Sequence, residues 1–172
     1  MARSFWIQVN EPELAQGDVL KNCLIPLFSP DFGNHDSEEV PVSEADLIIV
    51  TQTCDLVNQK ADLVALCPIH TLQSFEERNP KFKAKGRWEE VRKGRVEGLH
   101  LLGSPGNPED NQGSLVVDFG QIFSLPFAYL VKRAGDLGKR WRLDSPFLEH
   151  FSQAFARYFM RVGLPSSIPP FK

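Results

Sequence analysis

The apolar positions of the chain fall into short runs between polar turns, which is the pattern of a domain built mostly from β-strands. Runs at 17–28, 47–52, 62–69 and 99–103, with one long or two short runs within 114–132, predict these strands. The run LIIVTQ at 47–52 is continuously apolar, which is typical of a strand buried on both faces. A short helix is predicted over 72–78, and a turn around Gly135 and Gly138.

The end of the chain changes to a helical period. Phenylalanine recurs at every fourth position, which predicts an amphipathic helix with one apolar stripe (Phe147, Phe151, Phe155 and Phe159). Ser145 suits its N-cap, Pro146 its first position and Gly163 its end, so the helix is predicted over 145–163. The fold class predicted is therefore mostly β (β+α), five or six short strands and one long C-terminal α-helix.

Composition narrows the class of protein. The chain of 172 residues is 42% hydrophobic, which predicts one globular domain over 1–172 with a real core. A net charge of −3 argues against a protein that coats nucleic acid generally. We expect no membrane span, because no apolar run approaches the roughly 20 residues that one requires. With no recognisable secretory signal and three cysteines, we expect a cytoplasmic protein with free thiols.

Four motifs follow one another in an order that resembles the MazF/PemK toxin family. They are QGDVLKNCLIPL, DLIIVTQTCDL, DLVALCPIHTL and GSLVVDFGQIFSLPFAYLVK. The resemblance covers 16–132 and implies a small SH3-like, MazF-like β-barrel, here with a basic insertion at 76–96. We expect the helix over 145–163 to pack on that barrel.

The resemblance also carries an expectation about function. Members of this family cut single-stranded RNA as bacterial toxins, using an arginine near the start of the second strand and a threonine just after the Pro-Ile of the third strand. This chain lacks the catalytic arginine, since no Lys or Arg lies between Lys21 and Lys60, and His70 stands at the threonine position. We therefore expect a nucleic-acid- or protein-binding regulatory module of toxin–antitoxin or phage-defence type. The alternative is an endoribonuclease toxin.

A second alternative is a hydrolase that uses a cysteine. Cys54 and Asp55 end an apolar strand, and His70, or else His35 or His100, is a candidate base for the thiol. The competing interpretation is an inert cysteine at a strand end, with Asp55 capping the next turn. Cys67 and His70 have the spacing of a metal pair, but a regular strand points them to opposite faces and no second pair exists. We predict no metal and no cofactor.

The insertion is the part of the chain best suited to nucleic acid. Between Lys81 and Arg95 it carries seven basic residues against two Glu, with Phe82 and Trp88 interleaved as candidate stacking platforms. The predicted binding residues are Lys81, Lys83, Lys85, Arg87, Trp88, Arg92 and Lys93, and Arg95 completes the basic set. The alternative is a solvated loop that maintains solubility. The partners to consider are single-stranded RNA or DNA, a partner protein, or a second copy of the chain that packs on the Phe stripe.

Overall fold

The computed structural model of the chain describes residues 3–34 and 39–160, which contain eight strands and five α-helices. The strands are β1 Trp6–Val9, β2 Val19–Pro26, β3 Val42–Ile49, β4 Leu63–Thr71, β5 Leu99–Leu102, β6 Leu115–Asp118, β7 Phe123–Pro126 and β8 Arg140–Leu143. The helices are α1 Thr53–Val57, α2 Leu72–Arg78, α3 Arg87–Arg92, α4 Phe127–Leu137 and α5 Phe147–Phe159. Two 3₁₀ turns lie at Pro80–Lys83 and Asn111–Gly113.

All strand pairs are antiparallel. Six strands form one sheet in the order β2-β3-β4-β6-β5, with β7 on the same side of β4 as β6, and β1 pairs with β8. The predicted combination of strands with a C-terminal helix is confirmed at this coarse level, although the described residues contain eight strands and five α-helices where five or six strands, one short helix and one long helix were predicted. The predicted closure into a barrel is not found, because β2 and β5 remain unpaired edges among the described residues.

The apolar run of β3 explains the layering of the fold. Successive side chains point to opposite faces of a strand, so Leu47 and Ile49 face one hydrophobic cluster and Ile48 faces another. The first cluster is covered by α4 through Leu130, and the second by α5 through Phe151. The predicted burial of this strand on both faces is confirmed, because all three β3 residues are fully buried.

The strand predicted to reach 132 ends at Pro126, and the next eleven residues form α4. A short apolar run does not distinguish a strand from a buried helix, and here helical spacing decides, since Leu130 and Ala134 share the buried face. Gly135 therefore lies inside a helix. Gly138 ends it, with a φ of 65° that favours glycine.

The C-terminal helix begins at Phe147 and ends at Phe159, within the predicted 145–163. Ser145 does not cap the backbone, because its hydroxyl hydrogen bonds to the Glu149 carboxylate at 3.0 Å. Phe151 is fully buried, whereas Phe159 is half exposed at the end of the stripe. Residues 161–163 of the predicted helix lie outside the described residues.

A buried ionic cluster joins the segment before β2 to β8. Asp18 is fully buried, and its carboxylate accepts hydrogen bonds from Arg140 Nε at 2.9 Å and from Arg142. Arg140 also donates to the backbone carbonyls of Glu11 and Glu13. These bonds fix the N-terminal segment against β8.

No helix within the described residues is long and apolar enough to cross a membrane.

Candidate functional site

Cys54 lies on the surface in α1, directly after β3. Its thiol is exposed, with Sγ 3.7 Å from Gln52 Oε1 and 3.8 Å from Asp55 Oδ1. Among the residues that the structure describes, no histidine or cation is within hydrogen-bond distance of this sulfur. A nucleophilic cysteine depends on such a partner.

His70 lies near the C-terminal end of β4, whereas the segment that leads to Cys54 contacts the N-terminal half of this strand. The hydroxyl of Thr51, close before Cys54, accepts a hydrogen bond from the Ala65 amide at 2.8 Å. His70 is five residues further along the strand, about 16 Å away at the usual rise of a strand. The structure therefore places Cys54 and Asp55 together but separates them from His70. This separation argues against the predicted pairing of thiol and base.

The surroundings of His70 also differ from those of a catalytic base beside a thiol. Its Nδ1 lies 3.2 Å from Arg78 Nη2, and its ring packs near Phe75. Burial, and secondarily the Arg78 guanidinium, lower the pKa of His70 below its usual 6.5. The Nδ1 of His70 is thus placed to accept a hydrogen bond from Arg78.

The remaining thiols lie in the core, and His100 is half-buried beside it. Burial raises the pKa of Cys23 to about 11 and of Cys67 to about 12, so neither is a ready nucleophile. His100 packs against Phe119 and Phe151, and burial lowers its pKa to about 4. His35 lies outside the described residues. Within the described ranges, no three His, Cys, Asp or Glu side chains converge as metal ligands.

The aromatic residues of the basic insertion form core packing rather than open platforms. Phe82 is 3% exposed, and its ring centroid lies 5.0 Å from that of Phe75 and 5.1 Å from that of Trp88. Trp88 is half-buried, and its Nε1 donates to Glu76 at 2.7 Å. The prediction that Phe82 is a stacking platform is wrong, because its side chain holds the insertion onto the sheet.

The seven cations between Lys81 and Arg95 fall into two groups. The first group is partly neutralised, since Glu89 binds Arg92 at 2.6 Å and Lys93 at 3.4 Å, and Glu90 binds Arg95 at 3.1 Å. Hydrogen bonds from Arg92 are the main reason that the pKa of Glu89 falls to about 2.

The second group is not neutralised. No carboxylate in 3–34 or 39–160 is within 4 Å of the charged groups of Lys81, Lys83, Lys85 or Arg87. Three of the four are exposed, and Arg87 is partly exposed. The charges of Lys81 and Arg87 lie 5.7 and 5.1 Å from the Phe82 ring centroid, which holds them close to the rigid core. We call these four residues the basic surface.

A groove that the sequence does not predict lies along the free edge of β5. Its volume is about 610 Å³, and it is bounded by the loop after α3, by the loop after β5 and by α5. Arg92, Lys93 and Arg157 lie on its rim, and Phe119 and Tyr158 on its inner wall. No local pattern reveals this groove, because its walls come from four separate parts of the chain. We call it the β5 groove.

Comparison with known proteins does not assign a family. No protein-family model matches the chain, and no curated protein gives a significant sequence match. The resemblance to MazF/PemK toxins therefore rests on the order of the four motifs alone.

Proposed function

We propose that this chain is a binding module that engages single-stranded RNA or DNA through the basic surface. The observation that carries the proposal is the set of four cations that lack carboxylate partners in the described part of the chain. Nucleic-acid backbones are bound by side chains of this kind, because phosphates exchange their counterions for protein cations. Lys81 and Arg87 are held beside a buried aromatic ring, so less conformational entropy is lost when they bind.

The proposal keeps the wider setting that the motif order implies. We propose a divergent MazF/PemK-like, SH3-like architecture and a bacterial toxin–antitoxin or defence role. One feature supports this architecture: β7 and β6 return to successive halves of the same edge of β4, at 63–66 and 69–71. A strand with two successive partners on one edge is suited to a strongly coiled sheet.

The enzymatic alternatives have weaker support. A cut at phosphate requires positive charge to offset the negative charge of the transition state, and the segment between Lys21 and Lys60 contains no Lys or Arg. A hydrolase that uses Cys54 has its predicted base about 16 Å along β4 from the thiol segment. Binding without cleavage is thus the function that this geometry favours.

Charge reversal tests the proposal. The triple variant Lys83→Glu, Lys85→Glu and Arg87→Glu is compared with the wild type in binding fluorescein-labelled oligo-uridine and oligo-thymidine, followed by fluorescence anisotropy. We expect at least a tenfold weaker affinity. We also expect the slope of log K against log salt concentration to become shallower by about 0.7 for each phosphate that the variant no longer binds.

A matched control separates this surface from net charge. Reversal of Lys21, Lys132 and Lys139, which are exposed on β2, on α4 and before β8, changes net charge equally. We expect little change in affinity for this control. Equal loss in both triple variants, or no binding of either oligonucleotide by the wild type, would contradict the proposal.

A further inference from the structure

The edge of β5 is a row of backbone hydrogen-bonding groups that faces the β5 groove. The Phe119 amide donates to the Gly98 carbonyl at 2.7 Å, so these two residues form a hydrogen-bonded pair. In an antiparallel ladder such pairs alternate, so His100 and Leu102 direct their backbone groups at β6. Leu99 and Leu101 direct theirs outward. Within the described ranges, no other strand pairs with these outward groups.

One outward-facing carbonyl beyond Leu101 on this edge, that of Gly103, already accepts a hydrogen bond. The indole Nε1 of Trp6 donates to the Gly103 carbonyl at 2.7 Å. Gly103 follows Leu101 in the alternation, so its carbonyl also points outward. The Trp6 indole thus closes one end of the edge and leaves the stretch at 99–101 open to the groove.

Helical layers on both faces of β5 give the groove its walls. The side chains of Leu99 and Leu101 pack under the layer that contains Phe82 and Val91, and Leu102 packs under α5. A strand entering the groove would lie between these two layers. The volume of about 610 Å³ is within the usual 300–1,000 Å³ of ligand-binding clefts. Exposed edge strands are normally covered or blunted, since they are templates for another strand.

The charge around the groove selects the kind of strand. Arg92, Lys93 and Arg157 lie on the rim, with Glu97 as the acidic residue among those that line it. Glu89 neutralises part of the charge of Arg92 and Lys93, while Arg157 has no carboxylate within 4 Å in the described chain. A second copy of this chain would bring two positive rims together, which disfavours pairing of two β5 edges.

We propose that the β5 groove binds an extended, acidic segment of another protein, which adds to the sheet as a strand beside β5. The backbone of the segment would exchange hydrogen bonds with Leu99 and Leu101, and its carboxylates would meet Arg157 and the rim of α3. This mode of recognition takes affinity from the main chain and specificity from alternate side chains. It is independent of nucleic-acid binding by the basic surface.

The probe for the experiment is a fluorescein-labelled peptide of alternating valine and glutamate, and its control alternates valine and lysine. We expect the acidic peptide to bind the full chain at least tenfold more tightly than the basic peptide. Arg157→Glu should weaken the acidic peptide at least tenfold, whereas Lys132→Glu, an exposed reversal on α4, should leave it unchanged. The triple variant of the basic surface should bind the acidic peptide normally.

Amide exchange provides a readout that altered folding or non-specific charge would not reproduce. With saturating acidic peptide, the amides of Leu99 and Leu101 should exchange more slowly. Those of His100 and Leu102 already donate to β6 and should change little. This alternation of period two is the signature of strand addition at the outer edge.

Two results would overturn the proposal. One is equal affinity for the acidic and basic peptides, or binding that does not protect Leu99 and Leu101. The other is protection of both amides in the free protein together with a dimer in sedimentation velocity, which would show that a second copy covers the edge.

Discussion

The buried carboxylate of Asp18 should make a large contribution to the stability of this fold. It accepts hydrogen bonds from the Ala15 amide at 3.1 Å, from Arg140 Nε at 2.9 Å and from Arg142 Nη2 at 3.0 Å. The side chain of Arg140 is only 1% exposed. The change Asp18→Asn keeps the shape of the side chain and removes its charge, which leaves a guanidinium in the interior without its counter-charge.

Removing one partner of a buried ion pair usually costs about 3–5 kcal/mol. Arg140 retains its bonds to the Glu11 and Glu13 carbonyls, at 2.7 and 2.6 Å, so we expect the lower end of that range. A loss of about 3 kcal/mol is a large fraction of the 5–15 kcal/mol typical of a domain. At roughly 2–4 °C per kcal/mol for a chain of this size, the melting temperature should fall by about 6–12 °C.

Urea unfolding followed by circular dichroism measures this loss directly. Glu11→Gln is the control, because its carboxylate also binds Arg142 but is 47% exposed. An exposed pair contributes about 0–1 kcal/mol, so the control should unfold close to the wild type. If Asp18→Asn costs less than about 1 kcal/mol, or no more than the control, the reasoning from burial is refuted.

Two further predictions concern side chains that titrate or react. In the native protein the exposed thiol of Cys54 should react rapidly with a disulfide reagent. Cys23 and Cys67 should react only on unfolding, because burial raises the pKa of these thiols to about 11 and 12. Rapid reaction of the native Cys54→Ser variant would contradict this prediction. Burial lowers the pKa of His100 from 6.5 to about 4. As pH falls, the imidazole is therefore protonated in the unfolded chain before it is protonated in the folded chain, and the free energy of unfolding should decrease between about pH 6.5 and pH 4. His100→Gln should flatten that dependence in urea unfolding, and an unchanged slope would count against a buried neutral imidazole.

The elements predicted correctly from the sequence are those whose own periodicity specifies their environment. The continuous apolar run of β3 requires packing layers on both faces of the strand. The recurrence of phenylalanine at every fourth position in α5 requires a helix with one buried stripe. The prediction of a helix at 72–78 is likewise confirmed by α2. The prediction of a strand over 127–132 is wrong, because a run that short does not distinguish the two periods.

The candidate site can be predicted only in part. Composition alone locates the basic insertion, since a concentration of Lys and Arg is visible without a structure. It does not show which of these cations are neutralised, because that depends on which side chains Glu89 and Glu90 reach. The sequence also does not show that Phe82 is buried, because burial depends on which side chains pack around its ring. Its partner Phe75 nevertheless lies only seven residues away.

The sequence by itself determined the coarse class of the fold, the positions of most strands and of two of the five α-helices, and the location of the concentrated positive charge. These follow from the order of apolar and polar side chains along short segments. Only the tertiary structure decided which distant residues meet. It paired Asp18 with arginines more than 120 positions away, separated Cys54 from His70 along one strand, and left the edge of β5 open between two helical layers. A local pattern specifies which side of an element is buried, whereas the identity of its neighbour depends on packing of the whole chain.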